Sequence, residues 1–549
     1  MATAESVIDP PQAASPFSFP VYRFLWTANL ASSFGTLIQA IGAAWLMTSL
    51  TPSPMMVALV QSTTTLPIML LSLLAGAIAD NQNRRRVMIA AQSFMLLVSA
   101  VLVAFGFAGW LNPELLLIFT FLIGCGVAIN APSLSASISD IVPRPVVPAA
   151  VAMNSFGFNI ARSAGPAIGG IVVASLGAAA AFLINTISYL PMIGVLLRWK
   201  PAYPDRGLPS EPLGAAVRAG LRYVTMSPHL RVVMIRASFF GMFASGVSAL
   251  MPLTARQLLA GGASTYGLLS AAFGIGAVGG GLLTARLRDR LSAERIVGVA
   301  ALALAFGSVV TGLNLSLLAT LPALAIAGAG WVLGLSTFNI LVQLASPRWV
   351  VGRALACYQM CAFGAMAIGS WIIGAVAAQL GVVETLLLLG VVQLVNLPFG
   401  LVLPVEEVGA LDLDPIDRSF APETQVPVSP RSGPVVIAVT YRIAPDDVPD
   451  FLVAMTEYRR IRRRDGASGW TLLRDLGDAE RWVERFHVPT WIDYLRHIRR
   501  RTRDDLIHVE RLHGLHRGEG LPQVSRMLER QPGLPPPDVN AVAQPPNIV

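Results

Sequence analysis

Asp80 stands four residues ahead of Arg84, Arg85 and Arg86, and the whole set is wedged between two long apolar runs. Acid and guanidinium groups at this spacing do electrostatic work. They can pair with one another or with a helix end, where the backbone dipole favours an anion at the N-terminus, and they can let go when a neighbour moves. Gly76, one turn before the acid, offers a surface without a side chain where two helices can approach closely. A degenerate second copy, Ala285-Arg286-Leu287-Arg288-Asp289-Arg290, follows about two hundred residues later.

A second group of polar residues interrupts apolar runs: Asn29, Gln39, Gln61, Asn154, Asn159, Arg162, Asn339, Gln343 and Gln359. Ionisable or amide groups inside such runs are costly and default to function. One amide alone is accounted for by a hydrogen bond between helices, but their concentration in the first, second, fifth, tenth and eleventh runs points to a polar cavity. Asn159 and Arg162 share a helical face, and one embedded cation among amides suits an amphipathic or weakly anionic organic solute. Asp80, Asp140, Asp289 and Glu384 all lie near run ends. Proton coupling would therefore have to use Asp80 or Asp140, with the carboxyl pKa raised by partial burial.

Other chemistries find little support. Cys125, Cys357 and Cys361 sit in apolar runs, and His508, His513 and His516 match no strong ligand spacing, so no metal and no cofactor is expected. No Gly-x-x-x-x-Gly-Lys-(Ser/Thr) loop is present for ATP. The net charge of +8 is carried by arginines in loops, which argues against nucleic acid as a partner.

The elements that must position these residues are membrane spans. The chain is 54% hydrophobic and 13% charged, about half the charged share of a soluble domain. Runs of about 20 apolar residues cross a bilayer. Twelve are read: 24–48, 54–79, 87–110, 115–138, 149–175, 178–197, 232–253, 266–285, 296–315, 317–344, 354–380 and 382–403. Every second loop is basic, which places those loops and both termini in the cytoplasm. Ser139 to Val147 aligns with Leu344 to Val351, so two six-span halves are expected. Residues 1–22 form an N-terminal tail, 23–197 and 232–404 the two bundles, and 198–231 the middle loop. Leu213, Val217, Leu221 and Val224 of that loop share one face, as in an amphipathic helix lying on the inner leaflet.

The loop at Gly76 to Arg86 resembles the motif of the major facilitator superfamily, Gly-x-x-x-Asp-(Arg/Lys)-x-Gly-Arg-Arg-(Arg/Lys). Gly76, Asp80, Arg84, Arg85 and Arg86 match; Asn81 and Asn83 depart, Asn83 being tolerant of a left-handed backbone. The resemblance implies that Asp80 and Asp140 act in gating with the motif arginines, Asp140 pairing with Arg84. Val142-Pro143-Arg144, Asn154, Asn159, Arg162 and the Gly165, Pro166, Gly169, Gly170 cluster resemble the branch holding the enterobactin exporter and the transmembrane secretion effectors. The glycine cluster is also similar to the core of the superfamily's antiporter motif, a kinked helix with a tightly packing face. Thr120 stands where many drug–proton antiporters carry an arginine. The resemblance implies proton-coupled efflux of a siderophore-like or lipophilic small molecule across a bacterial inner membrane, the alternatives being a facilitator or importer of a small metabolite, or a transporter-fold sensor or secretion scaffold acting through its C-terminal domain.

After a linker at 405–433, residues 434–520 change character. Strands at 435–443, 470–474 and 481–487, helices at 448–464 and 491–501, and a final strand or continuation at 507–512 are expected. This order resembles the ferredoxin-like dimeric α/β barrels, among them antibiotic-biosynthesis monooxygenase-like domains, which implies a homodimer paired through its sheets. Trp470, Trp482, Trp491, His487 and His497 are available for such chemistry, but no asparagine lies between Pro434 and Val539, so catalysis is not expected. The arginines at 459–464 could meet anionic lipid headgroups or form a solvated face. Residues 521–549 read as a disordered tail. The expected whole is an all-α membrane protein of twelve transmembrane helices in two six-helix bundles, followed by a small cytoplasmic α+β domain.

Overall fold

Apolar runs too long for a globular core become helices here, with local signals setting their ends. The computed structural model describes residues 15–200, 213–347, 349–405, 422 and 424–529. Six helices come first: α1 (Pro20–Leu50), α2 (Pro54–Asn81), α3 (Arg84–Ala108), α4 (Pro113–Ile141), α5 (Val147–Leu176) and α6 (Ala178–Arg198). Proline in the first turn opens α1, α2 and α4, where its missing N–H costs nothing. The Asn83 side chain accepts from the Arg86 N–H and caps α3 with an extended backbone (φ −67°). Asn83 thus serves as a cap rather than in the left-handed conformation expected of it. Gly109 and Gly177, at φ +71° and +81°, end α3 and separate α5 from α6.

The short α7 (Leu213–Met226) leads to a second series. It comprises α8 (Pro228–Leu253), α9 (Ala263–Arg288), α10 (Ala293–Gly312), α11 (Leu317–Leu344), α12 (Val351–Leu380), α13 (Val382–Leu394) and α14 (Asn396–Val402). The last expected span is broken between α13 and α14, although together they remain apolar across Val382–Val402. Eleven helical segments among the described residues are long and apolar enough to cross a bilayer. Helix α5 is equally long, but Asn154, Asn159 and Arg162 lie along it, and it is not among the eleven. Large apolar side chains such as Leu97, Leu282 and Leu318 point outward and are more than half exposed. That arrangement suits hydrocarbon rather than water.

The chain divides into two compact units. The first contains most of the spanning helices; the second comprises Arg206–Arg231, Ile340–Leu355 and Glu407–Val549. In the second, β1 (Val435–Arg442), α15 (Val448–Asp465), β2 (Ser468–Arg474), β3 (Arg481–Val488), α16 (Trp491–Arg499), α17 (Arg503–Leu515) and β4 (Gln523–Leu528) follow in order. The four strands form an antiparallel sheet in the order β2-β3-β1-β4. One face buries Ile437, Val439, Phe486 and Val488 against Phe451, Met455 and Tyr458 of α15.

Of the two readings open for residues 507–512 the strand fails, and the expected disordered terminus is corrected in part. Residues 507–512 are helical, because Thr502 and Asp505 form a reciprocal capping box that starts α17. Part of the segment read as disordered is instead β4, which pairs with β1 from Val435↔Leu528 to Thr440↔Gln523. Its alternation is weak and its side chains are mostly exposed, so it left little apolar signal. Residues 1–14, 201–212, 406–421 and 530–549, on which the tail, linker and terminus expectations fall, lie outside the described residues.

Candidate functional site

Arg84, at the first position of α3, reaches across to α4. Its Nη1 bonds the Asp140 carboxylate at 3.0 Å and the Ala136 carbonyl at 2.9 Å, while Nε reaches the Ala79 carbonyl at 3.3 Å. Both partners are about one-fifth exposed, enough burial for the pair to hold more than a surface ion pair does. Arg85 turns the other way and donates to the Leu196 and Leu197 carbonyls at 2.6 and 2.9 Å, capping the end of α6. The loop therefore ties α3, α4 and α6 together. Asp80 and Arg144 fall in described backbone, but their side chains, like that of Asn81, lie outside the described residues. Gly76 corrects an expectation: a Cβ there would meet nothing within 4 Å, so among the described residues no helix approaches it in this conformation.

The close approach lies in α5 instead. A Cβ on Gly165 would meet Leu37 at 3.1 Å, and one on Gly169 would meet the Ile38 backbone at 3.1 Å, both on α1. On the other side, a Cβ on Gly170 would stand 2.7 Å from the Gly267 Cα of α9, and one on Gly274 would stand 2.5 Å from the Arg162 carbonyl. Pro166 and its neighbouring glycines thus let α5 touch α1 and α9 backbone to backbone.

Arg162, Phe273 and Trp331 lie near the midpoints of α5, α9 and α11. The Arg162 guanidinium sits 4.2 Å from the centre of the Trp331 ring, a cation–π contact, and Phe273 meets the same ring edge-on. No carboxylate among the described residues pairs with Arg162. The Trp331 Nε1–H is buried without a hydrogen-bond acceptor.

A cavity of about 170 Å³ opens among α1, α2, α4, α8 and α9. Gln39 and Gln61 line it, with Thr36, Thr64 and Thr120, and Tyr266 closes one side. Gln39 is held by the Asn185 amide, which also bonds the Tyr189 hydroxyl at 2.9 Å. Tyr266 stacks on Trp45, and Arg256 donates to the Thr48 carbonyl at the end of α1. The other candidates are dispersed. Asn29 and Asn154 bond each other at 3.1 Å between α1 and α5. Asn159, Asn339 and Gln359 are half-buried elsewhere, and Gln343 is exposed. Asn29, Asn154 and Gln39 are thus engaged in bonds between helices.

A pair that sequence reasoning missed is Arg236 with Glu294. Arg236 of α8 is 1% exposed and bonds Glu294 of α10 at 2.6 Å and the Asn396 carbonyl at 3.2 Å. The other Glu294 oxygen accepts from the Val405 N–H at 3.0 Å, fastening the chain beyond α14. A lone arginine about one turn inside the apolar run 232–253 was the available signal, since such a charge requires a partner.

A family model described as transmembrane secretion effector matches residues 12–532. The chain belongs to that family. Relatives of this secretion-effector-family chain include the staphyloferrin A transporter of Staphylococcus aureus, 25% identical over 258 residues. That match spans 47% of this chain and 64% of the relative, less than two thirds of its length. The multidrug efflux pump Tap of Mycolicibacterium fortuitum is 25% identical over 398 residues, 68% of this chain and 93% of the pump. Among solved structures, a bacterial homologue of the human lysosomal transporter Spinster, inward-facing and unoccupied, superposes with a TM-score of 0.57 at 15% identity. It covers 70% of this chain and 96% of its own. A POT family transporter in complex with 5-aminolevulinic acid gives 0.56 at 14% identity, over 70% and 96%. At these identities the likeness concerns fold, and it agrees with the major facilitator resemblance read from the sequence.

In the second unit of this secretion-effector-family chain, most of the residues considered for catalysis lie in the apolar core or around one buried ion pair. Arg462 bonds Glu484 through Nε and Nη2 at 3.0 and 3.3 Å, and the Trp470 indole donates to the same carboxylate at 2.9 Å. His497 is buried beside Arg462; burial first, then the positive charges of Arg462 and Arg501, holds its pKa well below 6.5. Trp482 and Trp491 belong to the apolar core, and His487 is half-buried on β3.

Proposed function

We propose that this protein is a secondary active transporter that exports an amphipathic, weakly anionic small molecule, of the siderophore-like or lipophilic class, across a bacterial inner membrane. Twelve spans are counted by adding α5 to the eleven, with its polar residues facing the interior. The helices α1–α6 and α8–α14 form two bundles that rock about a central site, and both termini and the basic loops face the cytoplasm. The observation that carries this reading is Arg162: a cation at mid-helix, held by an aromatic face rather than an acid, ready to pair with an anionic solute. Gln39, Gln61 and the threonines of the cavity among α1, α2, α4, α8 and α9 supply adaptable hydrogen bonds. The names of the relatives, a staphyloferrin transporter and a multidrug efflux pump, support the same substrate range.

Protons are the proposed coupling ion, with Asp80 or Asp140 at the loop end as the titrating group. The β2-β3-β1-β4 order supports a ferredoxin-like tail domain that is non-catalytic and pairs with a second copy through the open face of its sheet. Inverted vesicles test the reading. Dye or siderophore uptake should depend on a proton gradient, survive removal of the tail, and fall at least tenfold in Arg162→Gln. Uptake indifferent to the gradient would overturn the coupling, and full activity in Arg162→Gln would overturn the assigned counter-charge.

A further inference from the structure

The arginine run at the end of α15 divides by direction. Arg462 and Arg464 turn inward and are neutralised, the first by Glu484 and the second by Asp465 and Asp505 at 2.9 and 2.8 Å. Arg460 is held by Glu457 and by the Met226 carbonyl. Arg459 and Arg463, one turn apart, remain on the outer face, and no carboxylate among the described residues pairs with either. They line a concavity of about 390 Å³ whose opposite wall is Arg222 and Met226 of α7 and whose floor is residues 467–470. Three arginines therefore line one space, and no acid is among its lining residues.

The walls are built rather than loose. Arg459 lies over the Trp470 ring at 5.4 Å, and Trp470 is itself fixed by its bond to Glu484 at 2.9 Å. Arg222 donates through Nε to the Arg464 carbonyl at 3.2 Å, which holds its stem against α15. Strand β2 bulges between Ser468 and Thr471, with Gly469 at φ +56°, and this turns the floor away from the ladder. Like charges at i, i+4 repel along α15, so an empty site is disfavoured and an anion would relieve it.

We propose that this concavity binds a phosphate-bearing anion. Guanidinium groups arriving from two helices suit the several acceptor oxygens of a tetrahedral phosphate better than a single planar carboxylate, which one fork would satisfy. The chemistry is shared by a free phosphate compound and a phospholipid headgroup. The proposal does not depend on what the spanning helices carry.

Purified full-length protein in neutral detergent, melted against rising inorganic phosphate with ionic strength held constant by chloride, tests it. The parent and the Arg218→Gln control should show saturable stabilisation, with half-saturation shifted at least tenfold upward in Arg459→Gln/Arg463→Gln. Short-chain phosphatidylglycerol acting at tenfold lower concentration than phosphate, with phosphatidylcholine of equal chain length inert, assigns the headgroup as source. Equal or weaker action by the lipid assigns a soluble phosphate compound. Absence of saturable phosphate stabilisation, or the same half-saturation in the double variant, overturns the site. In the unaltered protein, phosphate should also protect Arg459 and Arg463 from phenylglyoxal; unprotected modification overturns the proposal independently of any variant's folding.

Discussion

Replacing Gly170 by alanine tests the glycine seam directly. The new methyl would stand 2.7 Å from the Gly267 Cα and 2.8 Å from the Ala263 carbonyl oxygen. Both are backbone atoms, so no side chain can swing aside. Comfortable carbon–carbon contact begins near 3.5 Å, and α5 and α9 must part by roughly 0.8 Å. Overpacking of this kind costs about 1–3 kcal/mol, which outweighs the roughly 0.5–1 kcal/mol that alanine gains over glycine in a helix. Gly76→Ala is the matched control: its methyl meets nothing within 4 Å, and alanine in a helix is favoured by about 0.5–1 kcal/mol. Melting of both variants in detergent should show Gly170→Ala several degrees below the parent and Gly76→Ala at or above it. Vesicle efflux adds a second reading, because a Gly76→Ala protein that melts normally yet transports poorly would place a close helix at Gly76 in another stage of the cycle. If Gly170→Ala melted like the parent, or Gly76→Ala melted lower, the packing argument would be refuted.

Three further outcomes are expected. Glu294→Gln leaves Arg236 buried without a counter-charge and should cost about 3 kcal/mol; Arg236→Met/Glu294→Met should recover most of it in the same melting assay, and no recovery would contradict the pairing. Asp140→Asn removes the acid that Arg84 grips while sparing the Ala136 and Ala79 carbonyl bonds; efflux should fall several-fold with protein levels unchanged, and unimpaired efflux would dismiss the gating role. His497 stays neutral in the fold at pH values where it is charged when unfolded, so the unfolded chain binds the extra proton and stability falls as pH drops below 6.5. The loss between pH 6.5 and 5.5 should be about 1 kcal/mol, read as the difference between the parent and His497→Gln, which also cancels the opposing contribution of Asp465, whose pKa is raised by burial. Parallel pH profiles for the two proteins would exclude it.

The spanning helices were legible because twenty apolar residues bounded by Pro54, Asn83 or Gly109 leave few alternatives in hydrocarbon. The Arg84–Asp140 pair was reached through motif resemblance, whereas the grip of Arg85 on α6 was not, since carbonyl acceptors leave no mark on a sequence. Glu294 looked like an ordinary acid in a helix's first turn; only its partner 58 residues away reveals its purpose. The intramembrane amides were read as one cavity, but a sequence cannot tell a cavity-lining glutamine such as Gln61 from a mutual pair such as Asn29 and Asn154. On α7 the expected apolar stripe was assigned to lipid. A different face of the helix meets protein: Tyr223 meets Trp349 edge-on, Arg464 lies over the Tyr223 ring, and Arg500 covers Trp349 at 4.4 Å, while Leu221 of the stripe is exposed. Tyr223 and Ala219, outside the stripe, are among its most buried residues.

The late strand β4 decides where the chain can safely be shortened. It shields one flank of β1, which begins only at Val435 and carries β3 on its other side. Cutting at residue 520, where charge density falls off, would strip that cover and leave a naked row of amides and carbonyls able to recruit other chains edge to edge. Removal before residue 434 takes the sheet away whole, so an aggregating short variant would report an exposed seam rather than a lost activity.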